Sequence, residues 1–214
     1  MRLIIFGAPG VGKGTQAKIL AGKLNIAHIS TGDILRNAIK NGTEVGLKAK
    51  EIINRGELVP DDVMGEIVKE TLQKDSTKNG YILDGFPRTI EQAKILTNIL
   101  KGLKQDQPTL LILDSDDQII VDRLSQRRVC TSCGFIVNLN DFQGDTCPNC
   151  GNKNTFVKRD DDNEEVITKR LKIYHEATQP VVDYYQDKTK TIKIDGTREI
   201  EAITEDIMKQ LKVS

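Results

Sequence analysis

The sequence predicts an α/β fold, a parallel five-stranded sheet flanked by helices on both faces. Three observations carry this. Strand-like apolar runs alternate with helix-periodic stretches along most of the 214 residues, the order expected of strands joined by helical crossovers. Two of those runs, Leu3–Phe6 and Leu110–Leu113, are continuously apolar, as strands buried on both faces must be. The first strand also runs straight into a glycine-rich turn that opens a helix.

Taken in order, Arg2–Gly7 reads as the first strand. Residues 13–24 read as a helix because Ala17, Leu20, Ala21 and Leu24 recur at helical spacing. Residues 27–30 form a short strand, and Ser30 or Thr31 can cap the helix after it. Helices are expected near 32–40 and 44–54, separated by Asn41–Gly42 and closed by Gly56. Another begins at Pro60, with Asp61 and Asp62 at the positive end of its dipole. A strand over 81–85, a helix over about 89–101, a strand over 109–114 and a helix over about 116–128 come next. Residues 129–158 then change character. They hold all four cysteines, Gly134, Gly144 and Gly151, and only scattered apolar residues, which reads as an inserted unit. Helix returns over about 162–187, where Ile167, Leu171 and Tyr174 share a face, and Pro180 either kinks it or starts a second segment. A strand over 191–195 and a helix over about 199–212 complete the pattern.

The bulk composition is that of a soluble globular chain, 38% hydrophobic and 29% charged, long enough for one sizeable domain with insertions. Lys plus Arg and Asp plus Glu both number 31. A general attraction to nucleic acid or acidic membrane is therefore not implied, and any anion must be held by local clusters. No apolar run approaches the ~20 residues of a membrane span. The first residues enter a strand with no signal-peptide pattern, so a cytoplasmic location is expected.

The turn Gly7–Thr15 reads Gly-Ala-Pro-Gly-Val-Gly-Lys-Gly-Thr, a P-loop in its strand–turn–helix context. Glycines let successive N–H groups point inward, and the helix N-terminus adds partial positive charge. Lys13 supplies a mobile charge for the outer phosphates. Gly10, Val11, Gly12, Lys13, Gly14 and Thr15 are thus candidate contacts to a polyphosphate, against the alternative of a plain glycine-rich turn. The strict pattern has a hydroxyl directly after the lysine. Here Gly14 intervenes, so magnesium is expected to be held through water or mainly by the nucleotide.

A second phosphate handler is expected in Leu83–Ala93. Asp84 ends an apolar strand, where a carboxylate can orient magnesium through water. Arg88 follows as a fork-shaped phosphate donor. Gln92 lies one helical turn on, where an amide can read a base edge. Asp114, which also ends a strand, is the rival for the metal. A surface ion pair is the plain alternative for Arg88, and a solvated helix position for Gln92.

Arg123 and Arg127 are four apart near the end of the predicted 116–128 helix and so share a face. Arg159 lies just beyond the insertion and Arg170 on the next helix. Guanidiniums on both sides of an insertion suit a hinge that closes over phosphates. Complementing a helix dipole, worth about 0.3–1 kcal/mol, would account for one of them. Asp161 and Asp162 either pair with these arginines or form the acidic first turn of a helix. His28 and His175 receive no role. In the insertion, Cys130-x-x-Cys133 and Cys147-x-x-Cys150 are separated by thirteen residues. Four thiolates at this spacing close a tetrahedral zinc shell with no open position, a structural site. A unit of about 30 residues buries too little to fold alone, and metal binding would supply its folding free energy. A redox role for the cysteine pairs is the rival.

On these stretches the chain resembles the adenylate kinases, in the form with a zinc-binding lid. GAPGVGKGTQ, STGDILR, GELVPD, DGFPR, RLSQRR, the paired Cys-x-x-Cys unit, RDDDNEEVITKRL and VDYY…IDG stand in family order over residues 3 to about 197. The resemblance implies reversible transfer of the terminal phosphoryl group of Mg-ATP to AMP, giving two ADP. It implies a core of residues 1–30, 61–126 and 159–214, an AMP-binding insertion of 31–60 and a zinc lid of 127–158. It assigns catalysis to Lys13, Asp84, Arg88, Arg123, Arg127, Arg159 and Arg170. ATP would meet the P-loop, Arg123, Arg127, Ile136, Val137 and Arg198. Ile136 and Val137 are aliphatic where the family often has an aromatic, so packing replaces stacking. AMP would meet Thr31, Arg36, Glu57, Leu58, Val59, Gly85, Phe86, Pro87, Arg88 and Gln92, with Arg159 and Arg170 shared. A monomer is implied, with no nucleic acid and no membrane as partner. The other readings are a kinase for another nucleoside monophosphate and a P-loop switch whose ribbon grips nucleic acid. The insertion's few aromatics and lack of excess positive charge weigh against the second.

Overall fold

The computed structural model describes residues 1–212. Five parallel strands form the central sheet: β1 (Arg2–Phe6), β2 (Ala27–Ser30), β3 (Tyr81–Asp84), β4 (Thr109–Asp114) and β8 (Thr191–Asp195), in the order β2-β3-β1-β4-β8. Three further strands, β5 (Arg127–Cys130), β6 (Ile136–Asn138) and β7 (Phe156–Val157), make a separate antiparallel sheet in the order β6-β5-β7. Nine helices accompany them among the described residues: α1 (Lys13–Leu24), α2 (Thr31–Lys40), α3 (Glu44–Asn54), α4 (Asp61–Leu72), α5 (Ile90–Gly102), α6 (Asp117–Gln126), α7 (Glu164–Ile173), α8 (Gln179–Tyr185) and α9 (Ile200–Leu211).

The period of two along β1 divides the molecule into two cores. Leu3 and Ile5 face one, with Leu20 of α1, Leu124 of α6, Ile167 of α7 and Ile207 of α9. Ile4 and Phe6 face the other, with Val68 of α4, Leu96 of α5 and Tyr185 of α8. Each fully buried aliphatic side chain contributes about 1.5–3 kcal/mol, so the continuous apolar runs are what hold helices on both faces. β1 pairs with β3 on one side and β4 on the other, with Ile5 opposite both Asp84 and Leu111. The chain's direction across the sheet reverses there, and the crevice at the strands' carboxyl ends is where such sheets bind ligands.

One helix expectation needs correction. The helix expected over 116–128 stops at Gln126, and Arg127 begins β5, paired with Asn138. Arg123 and Arg127 therefore do not share a helix face. The helix expected over about 162–187 comes as two segments, the second of the alternatives open at Pro180: α7 ends at Ile173, a wide π turn spans Tyr174–Thr178, and α8 begins at Gln179 with Pro180 in its first turn. Proline has no N–H to donate and its ring crowds the carbonyl one turn back, and the wider turn accommodates both. Between β2 and α4, helices α2 and α3 pack together, with Gly46 set directly against the Ala38 carbonyl. Ser30, not Thr31, caps α2 by accepting the Asp33 N–H.

Candidate active site

The P-loop sits at the carboxyl end of β1. Lys13 opens α1 and folds back over its own loop, its Nζ donating to the Gly7 and Ala8 carbonyls at 2.7 Å each. Desolvation lowers its pKa to about 7; Asp84 acts against this, and Arg88, Arg170 and Arg127 add to it. A phosphate is the partner that would relieve this crowding of cations. Gly14, where the strict pattern has a hydroxyl, faces Asp84: a Cβ there would lie 3.4 Å from Asp84 Oδ2, in ordinary van der Waals contact. Thr15 is partly exposed one position on, and Val11 is buried beneath the loop.

Asp84 ends β3 beside Ser30 of β2 and Ile5 of β1. His28 Nε2 lies 3.4 Å from its Oδ2. Sequence reasoning missed that contact. His28 and Asp84 lie 56 residues apart, and only the β2–β3 register puts them together. The rival Asp114 is exposed and accepts its own neighbour's N–H, from Ser115.

The chain turns at Gly85, whose φ of +85° suits glycine. A Cβ there would sit 2.8 Å from Thr31 Oγ1 and 2.9 Å from Arg88 Nη2, so the three residues crowd one point. Thr31 Oγ1 donates to the Asp84 carbonyl at 3.3 Å. Phe86 is buried in the second core, and its peptide to Pro87 is cis. Arg88 Nε donates to the Gly85 carbonyl at 2.8 Å, which leaves its two terminal nitrogens. Burial lowers the Arg88 pKa, Asp84 raises it, and Arg36 and Arg159 are near enough to lower it further. Arg36 is held by Asp33 at 2.6 Å. Gln92 is 2% exposed and so is no solvated helix position. Its Oε1 accepts the Arg88 backbone N–H and its Nε2 donates to Asp61 Oδ1, each at 2.8 Å. Sequence reasoning read Asp61 only as a dipole complement, because this partner is 31 residues away.

Opposite these lies a lattice of arginines and aspartates. Arg127 forks onto the wholly buried Asp162 at 2.8 and 2.6 Å. Arg159 forks onto Asp161 at 2.9 and 2.8 Å. Arg170 Nη1 joins both, reaching Asp162 Oδ1 at 3.1 Å and Asp161 Oδ2 at 3.2 Å. The two aspartates are thus arginine partners, and the first turn of α7 belongs to Glu164 and Glu165 behind an Asn163 cap. Burial drives the Arg127 pKa down to about 10, with Arg159 adding to the fall and Asp162 opposing it. Arg88, Arg127, Arg159 and Arg170 outnumber Asp84, Asp161 and Asp162 even before Lys13 is counted, so the cluster has more cationic than anionic side chains.

Other expected contacts stand further out. Arg123 donates to the Gly196, Thr197 and Val11 carbonyls at 2.7, 3.2 and 3.3 Å, tying the P-loop to the turn after β8. Arg198 is exposed and pairs with Asp206 of α9 at 2.8 Å. On β6, Val137 is buried and Ile136 exposed. Glu57 pairs with Lys169 of α7 at 2.6 Å, Leu58 is half-buried and Val59 buried. The 31–60 segment therefore touches the arginine-bearing helix.

The four cysteine sulfurs all lie within 4.8 Å of one another. Across the two pairs, Cys130 and Cys150 are 3.7 Å apart and Cys133 and Cys147 are 3.6 Å apart. A tetrahedron with metal–sulfur bonds of about 2.3 Å has edges of about 3.8 Å, so the donor set fits a metal of zinc's size and preference. Thr155 Oγ1, 3.1 Å from Cys130 Sγ, supports it from outside. No helix among the described residues is long and apolar enough to cross a membrane.

A profile of the adenylate kinase family matches residues 5–190. Curated relatives named adenylate kinase include one from Caldicellulosiruptor saccharolyticus, 47% identical over 216 residues and covering the whole of both chains. One from Kosmotoga olearia is 46% identical over 218 residues, covering 99% of each. One from Petrotoga mobilis is 46% identical over 215 residues, covering 99% of this chain and 98% of the relative.

Proposed function

The chain belongs to the adenylate kinase family, and from that premise we propose how its residues divide the work. The reaction is reversible transfer of the terminal phosphoryl group of ATP to AMP, giving two ADP. It needs little covalent chemistry: the reacting oxygens must be in line and the equatorial oxygens must meet positive charge. The observation that carries the assignment is the arginine cluster: Arg127 and Arg170 share Asp162 Oδ1 at 2.6 and 3.1 Å, Arg159 and Arg170 share Asp161, and Arg88 turns back onto the Gly85 carbonyl next to Asp84.

In this reading the N–H groups of Gly10 to Thr15 cradle the ATP phosphates, and Lys13 swings from its own loop to the outer ones. Arg127 serves the donor side. Arg123 holds the loop and meets ATP, while Ile136, Val137 and Arg198 border its base. Thr31, Arg36, the backbone of Glu57 to Val59, Gly85 to Arg88 and Gln92 form the AMP pocket. Arg88, Arg159 and Arg170 span the gap, each keeping N–H donors that its partners within the chain leave unspent. Asp84 would hold magnesium through its hydration shell, and that ion supplies charge compensation on the donor phosphates. Residues 31–60 and 127–158 act as insertions that close on the core of 1–30, 61–126 and 159–214. Closure excludes water, so AMP receives the phosphoryl group. Zinc on Cys130, Cys133, Cys147 and Cys150 staples the second insertion. We place the enzyme in the cytoplasm as a monomer that binds neither nucleic acid nor membrane.

A panel of nucleoside monophosphates with Mg-ATP tests this directly, by chromatography of the diphosphate products. AMP should give ADP fastest, and the absence of ADP would overturn the reading. Filter binding with single- and double-stranded nucleic acid should show no retention.

A further inference from the structure

We propose that Asp61 sets the base specificity of the acceptor pocket by fixing which way round the Gln92 amide is held. The proposal rests on the reading that Gln92 meets the acceptor's base.

An amide looks much the same either way round, and its two ends exchange by a half-turn about the last side-chain bond. Here the partners leave one choice. The Arg88 backbone N–H can only donate, and it lies 2.8 Å from Oε1. The Asp61 carboxylate can only accept, and it lies 2.8 Å from Nε2. Turning the amide over would set N–H against N–H at one end and oxygen against carboxylate at the other, with both ends buried. The same Asp61 Oδ1 also accepts from Thr89 Oγ1 at 3.1 Å, while Thr89 Oγ1 accepts the Gln92 backbone N–H at 3.0 Å. Asp61 thus holds Gln92 by its side chain and, through the α5 cap, by its backbone. Each end of the amide keeps one further valence, a lone pair on Oε1 and a hydrogen on Nε2. That donor and acceptor match adenine, whose edge has an acceptor at N1 and a donor at N6. They oppose hypoxanthine, whose edge carries a donor at N1 and an acceptor at O6. A site built to pair one pattern rejects the reverse because buried polar groups are left unpaired. Asp61 touches no substrate in this scheme. It is a positioning residue.

The test compares AMP with IMP, which differ in this edge, at saturating Mg-ATP, in Asp61→Ala, Asp61→Asn, Gln92→Ala and the Asp61→Ala/Gln92→Ala double variant. The AMP-to-IMP ratio of kcat/KM is internal to each preparation, so partial unfolding cancels. Asp61→Ala should lower that ratio about tenfold, the scale of one oriented hydrogen bond, through KM for AMP and with kcat within about threefold. Asp61→Asn keeps an oxygen for Nε2 and should retain most of the ratio. The double variant should match Gln92→Ala alone. A ratio unchanged in Asp61→Ala but collapsed in Gln92→Ala overturns the proposal and leaves the pocket reading standing. Equal losses for both monophosphates in Asp61→Ala overturn it too, since they mark a role in folding alone. A ratio untouched by Gln92→Ala overturns the pocket reading and the proposal with it.

Discussion

Arg127 and Asp162, 35 residues apart, meet in a two-pronged hydrogen bond whose carboxylate is wholly buried. The fork fastens β5, at the root of the cysteine-bearing unit, to the turn that leads into α7. Arg170 shares Asp162 Oδ1 at 3.1 Å, so one carboxylate compensates two guanidiniums.

Asp162→Ala should therefore cost far more than an exposed ion pair would. Removing one partner of a buried pair leaves uncompensated charge and costs about 3–5 kcal/mol, here with Arg127 stranded and Arg170 left to Asp161 alone. Equilibrium urea unfolding measures it, and a loss below about 1 kcal/mol would contradict the pairing.

Arg88 and Arg123 should separate in their effects. Arg88→Ala removes a guanidinium with two unspent nitrogens at the centre of the cluster. It should lower kcat by about 10³-fold with little change in unfolding midpoint. Arg88→Lys should restore little, because a point charge lacks the fork. Arg123→Ala removes three bonds to backbone carbonyls. Both KM for ATP and thermal stability should suffer along with turnover. Equal stability in the two variants would refute this division.

Asp161 should mark the acid limb of stability. Burial pushes its carboxyl up, but Arg170 and Arg159 outweigh it and bring the pKa from 3.8 to about 2. A depressed folded value stabilises above the unfolded pKa, and that contribution fades as pH falls through the folded one. About 2 kcal/mol present at neutral pH should thus disappear between about pH 4 and pH 2. The stability gap between the parent and Asp161→Asn should narrow across that window, and a constant gap would count against the shift.

Metal removal should act locally. Purified protein should carry about one zinc per chain by elemental analysis. A strong chelator should abolish activity while most far-UV circular dichroism survives, because residues 127–158 depend on the metal and the two apolar cores do not. Global unfolding at the same chelator concentration as inactivation would refute a staple confined to that unit.

The central strands were legible because their information is local. Leu3–Phe6 and Leu110–Leu113 are apolar at every position, and no partner need be known to see that they are buried. The P-loop and cysteine pairs were legible for the same reason, since each motif lies within a few consecutive residues. Arg127 was misplaced because helical spacing runs on through it. Its pairing with Asn138 and its fork to Asp162 take it out of the helix, and neither partner is a neighbour in sequence.

The amino-acid order by itself determined the layering of sheet and helices, the glycine-rich turn between β1 and α1, and the two cysteine pairs. Each is written in residues close enough together to act on one another before the chain folds. The tertiary structure alone decided that Asp161 and Asp162 serve arginines, that His28 meets Asp84, and that Gln92 hangs between Arg88 and Asp61. Charges and amides acquire partners only when strand register and helix packing bring distant residues within about 3 Å, where desolvation makes an unpaired group costly and a paired one directional.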